Sequence, residues 1–231
     1  MKRLSLIGYG RIGGDVLRGL AEMDGYTCGA VLTRRPVSDL PQNTTDVAAF
    51  LKQPCDLIIE TAGPEALRAL GPQALAAAPV WSVGGLALAD AGFRGRMAQL
   101  SATSGHRLRL FACGMANMPL RAETLDIVMR RDGMGPTWSG RLTDAVAIWP
   151  NDLNTAVAAA LAGPGVEATH LTMEDSGRGG PHEIRLDACG PGGNWQRHYR
   201  LPDMSDASVC HPVAAMILTA LQQETQPWQF T

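Results

Sequence analysis

The chain has 231 residues, 45% of them hydrophobic and 18% charged, and a formal net charge of −2. That composition supplies a core for one large domain or two small ones and excludes a disordered chain. The near-neutral charge, with no run of Lys and Arg, speaks against nucleic acid as a partner.

No window of 18 apolar residues occurs, so no membrane span is expected. The five cysteines (28, 55, 113, 189 and 210) are odd in number, widely spaced and without a CxxC. They read as buried, reduced thiols of a cytoplasmic protein rather than as a disulfide framework or a zinc site. The basic pair Lys2-Arg3 is followed by an apolar stretch that Gly8 and Gly10 cut short, which reads as a first strand rather than a signal peptide.

That strand covers 4–8. Ile12, Val16, Leu20 and Met23 then recur at helical spacing, predicting a helix over 11–22, and 26–33 reads as a second strand. Strand, glycine turn, helix and strand within about 30 residues make a βαβ unit. A short helix at 47–51 and a strongly apolar strand at 55–60 follow. Pro64 opens a helix over 65–75, where its missing N–H costs nothing. Strands at 79–83 and 107–111 flank a helix near 91–104. Alternating strands and helices imply a mostly parallel sheet covered on both faces.

Beyond residue 112 the pattern changes. A helix is expected over 120–130, a glycine loop at 133–136, a strand at 141–148 and a small-residue helix over 152–162. Closely spaced strands at 166–173, 182–188 and 194–201 suit an antiparallel sheet with helices on one face, and a final helix spans 212–223. The expected class is therefore α/β: a Rossmann domain over 1–112, a second α+β domain on a mainly antiparallel sheet over 113–211, and a C-terminal segment, 212–231, that packs back on the first domain.

The loop Gly8-Tyr9-Gly10-Arg11-Ile12-Gly13 matches the dinucleotide-binding fingerprint. Gly8 permits the tight turn, Gly10 lets the backbone approach a pyrophosphate, and Gly13 allows close helix–strand packing. The helix that begins at Arg11 and Ile12 offers its N–H groups and positive dipole end to the phosphates. At the tip of the second strand an NAD-binding fold usually carries an acid for the ribose 2′-hydroxyl. Here Thr33-Arg34-Arg35 stands instead, and two guanidiniums suit a 2′-phosphate. NADP is favoured over NAD, with use of both cofactors and solvated loop arginines as the alternatives.

Several segments, in order along the whole chain, resemble the L-aspartate dehydrogenase family. Ile59-Glu60-Thr61-Ala62-Gly63-Pro64 is similar to its Glu-Cys/Ala-Ala loop, where Thr61 and Ala62 are expected to meet the cofactor. Ser82 to Asp90 looks like its Ser-Val-Gly-Ala-Leu-Ala-Asp segment with a small insertion. Trp149-Pro150-Asn151-Asp152-Leu153-Asn154-Thr155-Ala156 resembles its Phe-Pro-x-Asn-x-Asn-Val-Ala helix start. Gly180-Pro181-His182-Glu183-Ile184 falls where the family has Asn-x-His before an apolar strand.

The resemblance implies oxidation of L-aspartate to iminoaspartate, which hydrolyses to oxaloacetate and ammonia. It also implies a catalytic role for His182, a place near the substrate for Asn154, and a homodimer. Two segments depart from it. Asp206-Ala207-Ser208-Val209-Cys210 replaces the family's Asn-Pro-Lys-Thr-Ser, removing a lysine suited to a substrate carboxylate, and Cys113 to Met118 replaces a Gly-Ala-Ile-Gly-Gly turn.

The residues alone support His182 less specifically. Alternation in 182–188 sets it with Ile184, Leu186 and Ala188 on the apolar face, after the loop 176–180, where it could face an interdomain cleft. An imidazole with an ordinary pKa near 6.5 suits proton transfer at neutral pH, and a satisfied histidine at a strand edge fits the same pattern. Arg178 is a further anion contact or a solvated loop arginine. No His/Cys/Asp/Glu spacing suggests a metal, and neither a Gly-x-Ser-x-Gly nor a Ser-His-Asp order is convincing. The expected partner is thus a small amino acid or 2-oxo acid. A dihydrodipicolinate-reductase-like enzyme and a non-catalytic NADP sensor remain the rivals.

Overall fold

The computed structural model describes residues 1–40, 42–112, 122–204, 206 and 208–226. The divergent turn 113–118 lies outside them, as do Ala207 of the divergent segment before the last helix and the first two residues of the helix expected over 120–130. The chain divides into two compact units, one formed by Met1–Phe111 with the stretch from Val213 onward, the other by Ala112–Pro212.

The first unit is built on a six-stranded, wholly parallel sheet. Its strands are β1 (Lys2–Ile7), β2 (Tyr26–Leu32), β3 (Asn43–Thr44), β4 (Leu57–Glu60), β5 (Val80–Ser82) and β6 (Leu108–Leu110). Their spatial order is β3-β2-β1-β4-β5-β6, the usual dinucleotide-binding order. The chain runs outward from β1 towards β3, then returns to β4 and runs the other way. Because parallel crossovers are right-handed, this reversal sends α1 (Arg11–Ala21) to one face and α3 (Pro64–Ala77) and α4 (Ala91–Ser104) to the other. The central strands are accordingly apolar on both sides: Leu4, Leu6, Ile58 and Ile59 are each at most 1% exposed.

The short α2 (Val47–Leu51) is capped by the Asp46 carboxylate, which accepts from Ala49 N–H at 3.1 Å. The last helix, α7 (Pro212–Thr225), belongs to this unit from Val213 onward. Gly19 on α1 makes room for Leu218, the Tyr26 hydroxyl donates to the Leu221 carbonyl at 2.8 Å, and Lys2 pairs with Glu224 at 2.8 Å.

The second unit carries a five-stranded sheet of β7 (Thr124–Arg131), β8 (Trp138–Arg141), β9 (Thr169–Asp175), β10 (Glu183–Gly190) and β11 (Gly193–Arg200). The order is β11-β10-β7-β9-β8, with β7 and β9 parallel and the other three pairs antiparallel. One face carries Leu125, Ile127, Met129, Leu171, Met173, Ile184, Leu186 and Ala188, all at most 4% exposed. Helices α5 (Leu142–Ile148) and α6 (Asn154–Ala162) add Leu142, Ala145, Ala156 and Val157 to the unit's buried set.

Two sequence expectations fail here. The segment expected as a helix over 120–130 is strand β7, and it lies in the middle of the sheet. Leu125, Ile127 and Met129 alternate at period two, and pairing on both sides overrides any helical propensity. The strand expected over 141–148 is helix α5, whose buried Leu142 and Ala145 lie three residues apart on one helical face. The thiols also differ from expectation: Cys28 and Cys55 are half-buried, while Cys189 and Cys210 are exposed. Among the described residues no helix is long and apolar enough to cross a membrane, and no cluster of His, Cys, Asp and Glu could hold a metal ion.

Candidate functional site

The reversal of strand order between β1 and β4 leaves a crevice beyond their C-terminal ends, where open α/β sheets bind ligands. A cavity of about 1030 Å³ occupies this position. Ile7, Gly8 and Gly10 form one wall, Thr33, Arg34 and Arg35 another, and Thr61 and Ala62 a third. Of the residues expected to hold the cofactor, Arg11, Ile12 and Gly13 are not in this lining; they form the first turn of α1.

Two of the three glycines, Gly8 and Gly13, are required by the geometry. Gly8 has φ +99°, and a Cβ there would lie 2.8 Å from the Ala62 Cβ and 2.9 Å from its backbone nitrogen. A Cβ on Gly13 would sit 2.5 Å from the Gly8 carbonyl oxygen and 2.8 Å from Thr61 Oγ1. A Cβ on Gly10, by contrast, would meet nothing within 4 Å, which leaves open space for a ligand to approach the backbone. The N-terminus of α1 has no side-chain cap and no acid in its first turn, so its positive dipole end favours an anion. The cavity, the glycine cradle and the uncapped helix together fit a dinucleotide pyrophosphate.

Thr61 ties two walls together: its hydroxyl donates to the carbonyls of Ile7 (3.2 Å) and Gly8 (3.1 Å). At the tip of β2, the buried Thr33 donates its hydroxyl to the Arg35 carbonyl at 2.7 Å, shaping the turn from which the exposed Arg34 and Arg35 extend.

A residue that the sequence reading did not single out, Glu60, braces the third wall. It ends β4 and is only 1% exposed. Its Oε1 accepts from the N–H groups of Ala62 and Gly63, each at 2.6 Å, and its Oε2 from the Ser82 hydroxyl. Ser82 Oγ in turn accepts from Gly84 N–H at 2.9 Å. Burial pushes the Glu60 carboxyl upward, opposed by these hydrogen bonds. The available signal was a charged residue ending the apolar run Leu57-Ile58-Ile59, immediately before a Gly-Pro turn.

In the second unit His182 directly precedes β10. The antiparallel register pairs Glu183 with Arg130 and Ile184 with Met129. Continued by one residue, it sets His182 opposite Arg131, and residues directly opposite share a face. The Arg131 guanidinium pairs through Nη1 with Asp152 at 2.8 Å and donates from Nε to the Met134 sulfur at 2.8 Å. The Arg131 carbonyl accepts from Ser176 N–H at 3.0 Å, and Asp132 accepts from Gly179 N–H at 2.9 Å, fastening the loop before His182 to the end of β7.

His182 Nε2 is buried with no hydrogen-bond partner among the described residues. Burial holds this imidazole below its ordinary value. The Arg131 charge pushes the same way, and Asp152 opposes it. Asn154 is the first residue of α6, two positions after Asp152, and is half-buried; Arg178 is exposed on the loop. Arg131 escaped notice in the sequence because β7 was read as a helix, which hid its register with His182; Asp152 lies in the turn before α6 and meets Arg131 only in the fold.

A family model described as the NAD binding domain of homoserine dehydrogenase matches residues 8–110. Two proteins named L-aspartate dehydrogenase 2, from Bordetella pertussis and Bordetella bronchiseptica, are each 27% identical over 227 residues, covering 80% of this chain and 82% of the relative. An aspartate dehydrogenase from Thermotoga maritima superposes over all of both chains with a TM-score of 0.77 at 16% identity. A homoserine dehydrogenase from S. aureus gives 0.58 at 13% identity, covering all of this chain and 79% of its own. The fold, the dinucleotide cavity and these likenesses define an NAD(P)-dependent dehydrogenase. The spread of identities is low, yet the likeness to the Bordetella and Thermotoga proteins runs through both units. Along most of its length the chain is similar to L-aspartate dehydrogenases.

Proposed function

We propose that this dehydrogenase catalyses the oxidative deamination of L-aspartate or a related small amino acid. Amino acid, NAD(P)⁺ and water would give the 2-oxo acid, ammonium, NAD(P)H and a proton. The observation that carries the reading is the unpartnered, half-buried His182 beside a charged pair in the second unit of a chain similar to L-aspartate dehydrogenases. A nicotinamide bound by the first unit supplies the hydride acceptor.

The chain's own residues are assigned as follows. His182, held neutral by burial and by Arg131, takes the proton released by the substrate amine and later serves the water that hydrolyses the imine. Asn154 offers a side-chain amide to the substrate from the start of α6. Gly8, Gly10 and Gly13, with the N–H groups at Arg11 and Ile12, receive the pyrophosphate, and Thr61 and Ala62 line the cofactor's path. Thr33, Arg34 and Arg35 favour NADP over NAD, because the β2 tip presents two guanidiniums and no acid to the ribose.

The test is to follow NADPH and NADH oxidation with oxaloacetate plus ammonia, and then with related 2-oxo acids, for the wild type and His182→Ala. Loss of a proton-transfer group lowers kcat by about 10²–10⁴-fold. Oxidation that survives His182→Ala undiminished removes the catalytic assignment. Cofactor binding without turnover on any member of the panel removes the dehydrogenase reading of the second unit.

A further inference from the structure

An L-amino acid differs from a hydroxy acid or a simple dicarboxylate in carrying opposite charges on adjacent groups. A site that selects it needs a fixed cation for the α-carboxylate and a fixed anion for the α-ammonium, close together and beside the base. The segment whose lysine would supply a cation in the family lacks one here.

The second unit provides both charges at a place that the family pattern did not indicate. The β7–β10 register, continued one residue beyond its last pair Glu183–Arg130, sets Arg131 and His182 opposite one another on the same face. Asp152 reaches the guanidinium from the turn before α6, with Nη1 and Oδ1 2.8 Å apart. Each side chain of the pair is about one third exposed, 31% for Arg131 and 32% for Asp152, so a small solute can reach both. Arg131 is also held in orientation: Nε donates to Met134, and its backbone carbonyl holds Ser176. Its Nη2 makes no hydrogen bond to a described residue, which leaves donors for a second carboxylate in the forked geometry that arginine favours.

We propose that the Arg131–Asp152 pair is the receptor for the zwitterionic end of the substrate, with Arg131 binding the α-carboxylate and Asp152 the α-ammonium. This deepens the amino-acid dehydrogenase reading and rests on it for the identity of the bound molecule. The pair is preorganised by its own attraction, so the substrate meets two charges already set at the spacing of a carboxylate and an amine. Asp152 then discriminates amine from hydroxyl, because a site built to hold a charged group rejects an analogue that lacks it far more strongly than an apolar pocket rejects a missing methylene. In this reading His182 takes the proton of the ammonium held by Asp152.

The experiment is calorimetric titration of the NADPH-loaded protein, which cannot oxidise the amino acid, with L-aspartate and with succinate, which keeps both carboxylates and lacks the amine. It is run on the wild type, Arg131→Gln, Arg131→Lys, Asp152→Asn and Asp152→Glu, alongside steady-state turnover. The wild type is expected to prefer L-aspartate. Asp152→Asn should shrink that preference by at least tenfold while leaving succinate affinity within about threefold, and Asp152→Glu should restore part of it. Arg131→Gln should weaken both ligands by tenfold or more, with Arg131→Lys intermediate. In the pH profile of kcat/KM, the acid limb should move up in Arg131→Gln and down in Asp152→Asn, a signature that a merely structural defect does not produce. NADP⁺ affinity unchanged in every variant certifies the fold. The proposal is overturned if Asp152→Asn retains the wild-type preference, or if the wild type binds L-aspartate no better than succinate. Binding that follows the expected pattern without turnover would instead count against the dehydrogenase reading alone.

Discussion

Gly13→Ala and Gly14→Ala place the same methyl group at consecutive positions of α1, and they should behave oppositely. In α1 both replacements gain about 0.5–1 kcal/mol, the advantage of alanine over glycine within a helix. At Gly14 the new Cβ would find only Arg18 Nη1 at 3.7 Å and Tyr9 Cε2 at 4.0 Å, ordinary contacts that leave the gain intact. At Gly13 it would lie 2.5 Å from the Gly8 carbonyl oxygen, 2.8 Å from Thr61 Oγ1 and 3.2 Å from the Gly8 carbonyl carbon. None of these atoms can yield freely. Gly8 N–H is bonded to Leu32 at 2.9 Å, its Cα faces the Ala62 backbone, and Thr61 is tied to both Ile7 and Gly8. The overlap is therefore relieved by moving backbone, at the overpacking cost of about 1–3 kcal/mol. Because the helix gain is common to both variants, that cost is the expected difference between them. Urea unfolding, with m unchanged, measures it. The displaced Gly8–Gly10 wall should also weaken NADPH at least tenfold in Gly13→Ala and by less than twofold in Gly14→Ala. A Gly13→Ala protein as stable as Gly14→Ala, with wild-type NADPH affinity, would refute the close-packed reading of this turn.

The remaining predictions concern charge. Arg34→Ala should weaken NADPH by about tenfold, the worth of one charge-assisted hydrogen bond, and leave NADH within about twofold; equal effects on both cofactors would place the side chain in solvent. Glu60→Ala strips acceptors from Ala62 N–H, Gly63 N–H and the Ser82 hydroxyl, so unfolding should become easier by about 3–5 kcal/mol, whereas Glu60→Gln, which keeps one oxygen for the two N–H groups, should cost about half as much. For His182 the folded state favours the neutral ring, so the unfolded chain binds the proton more readily. Its contribution to stability is present above the ordinary value near 6.5 and lost as pH falls through the lower folded value, and kcat/KM for the amino acid should fall over the same acidic window. An acid limb centred above pH 6.5 would contradict the placement of this imidazole.

The cofactor half of the molecule was legible in the sequence because its determinants are local. Gly8, Gly10 and Gly13 fall within six residues, and the strand and helix around them have clean periods. What was missed there, Glu60, is a long-range feature: its partners are split between the next turn and Ser82 on the neighbouring strand. Nothing in the run Leu57-Ile58-Ile59-Glu60 alone says that the carboxylate turns inward.

The second unit shows the opposite case. Its long antiparallel ladder, β10 with β11, was readable because the two strands are adjacent in the chain and alternate plainly. β7 was not, since its partners β9 and β10 arrive some 40 to 60 positions later in the sequence numbering and the short run Leu125-Asp126-Ile127-Val128-Met129 also supports a helical reading. One error of period thus had a chemical consequence. A helix over 120–130 would have turned Arg131 away from any register with His182, whereas a central strand sets the two opposite each other and brings Asp152 to the same guanidinium. On the proposed assignment the substrate end is defined by a pairing between distant segments rather than by a motif. That is why a missing lysine in one segment need not mean a missing cation at the site.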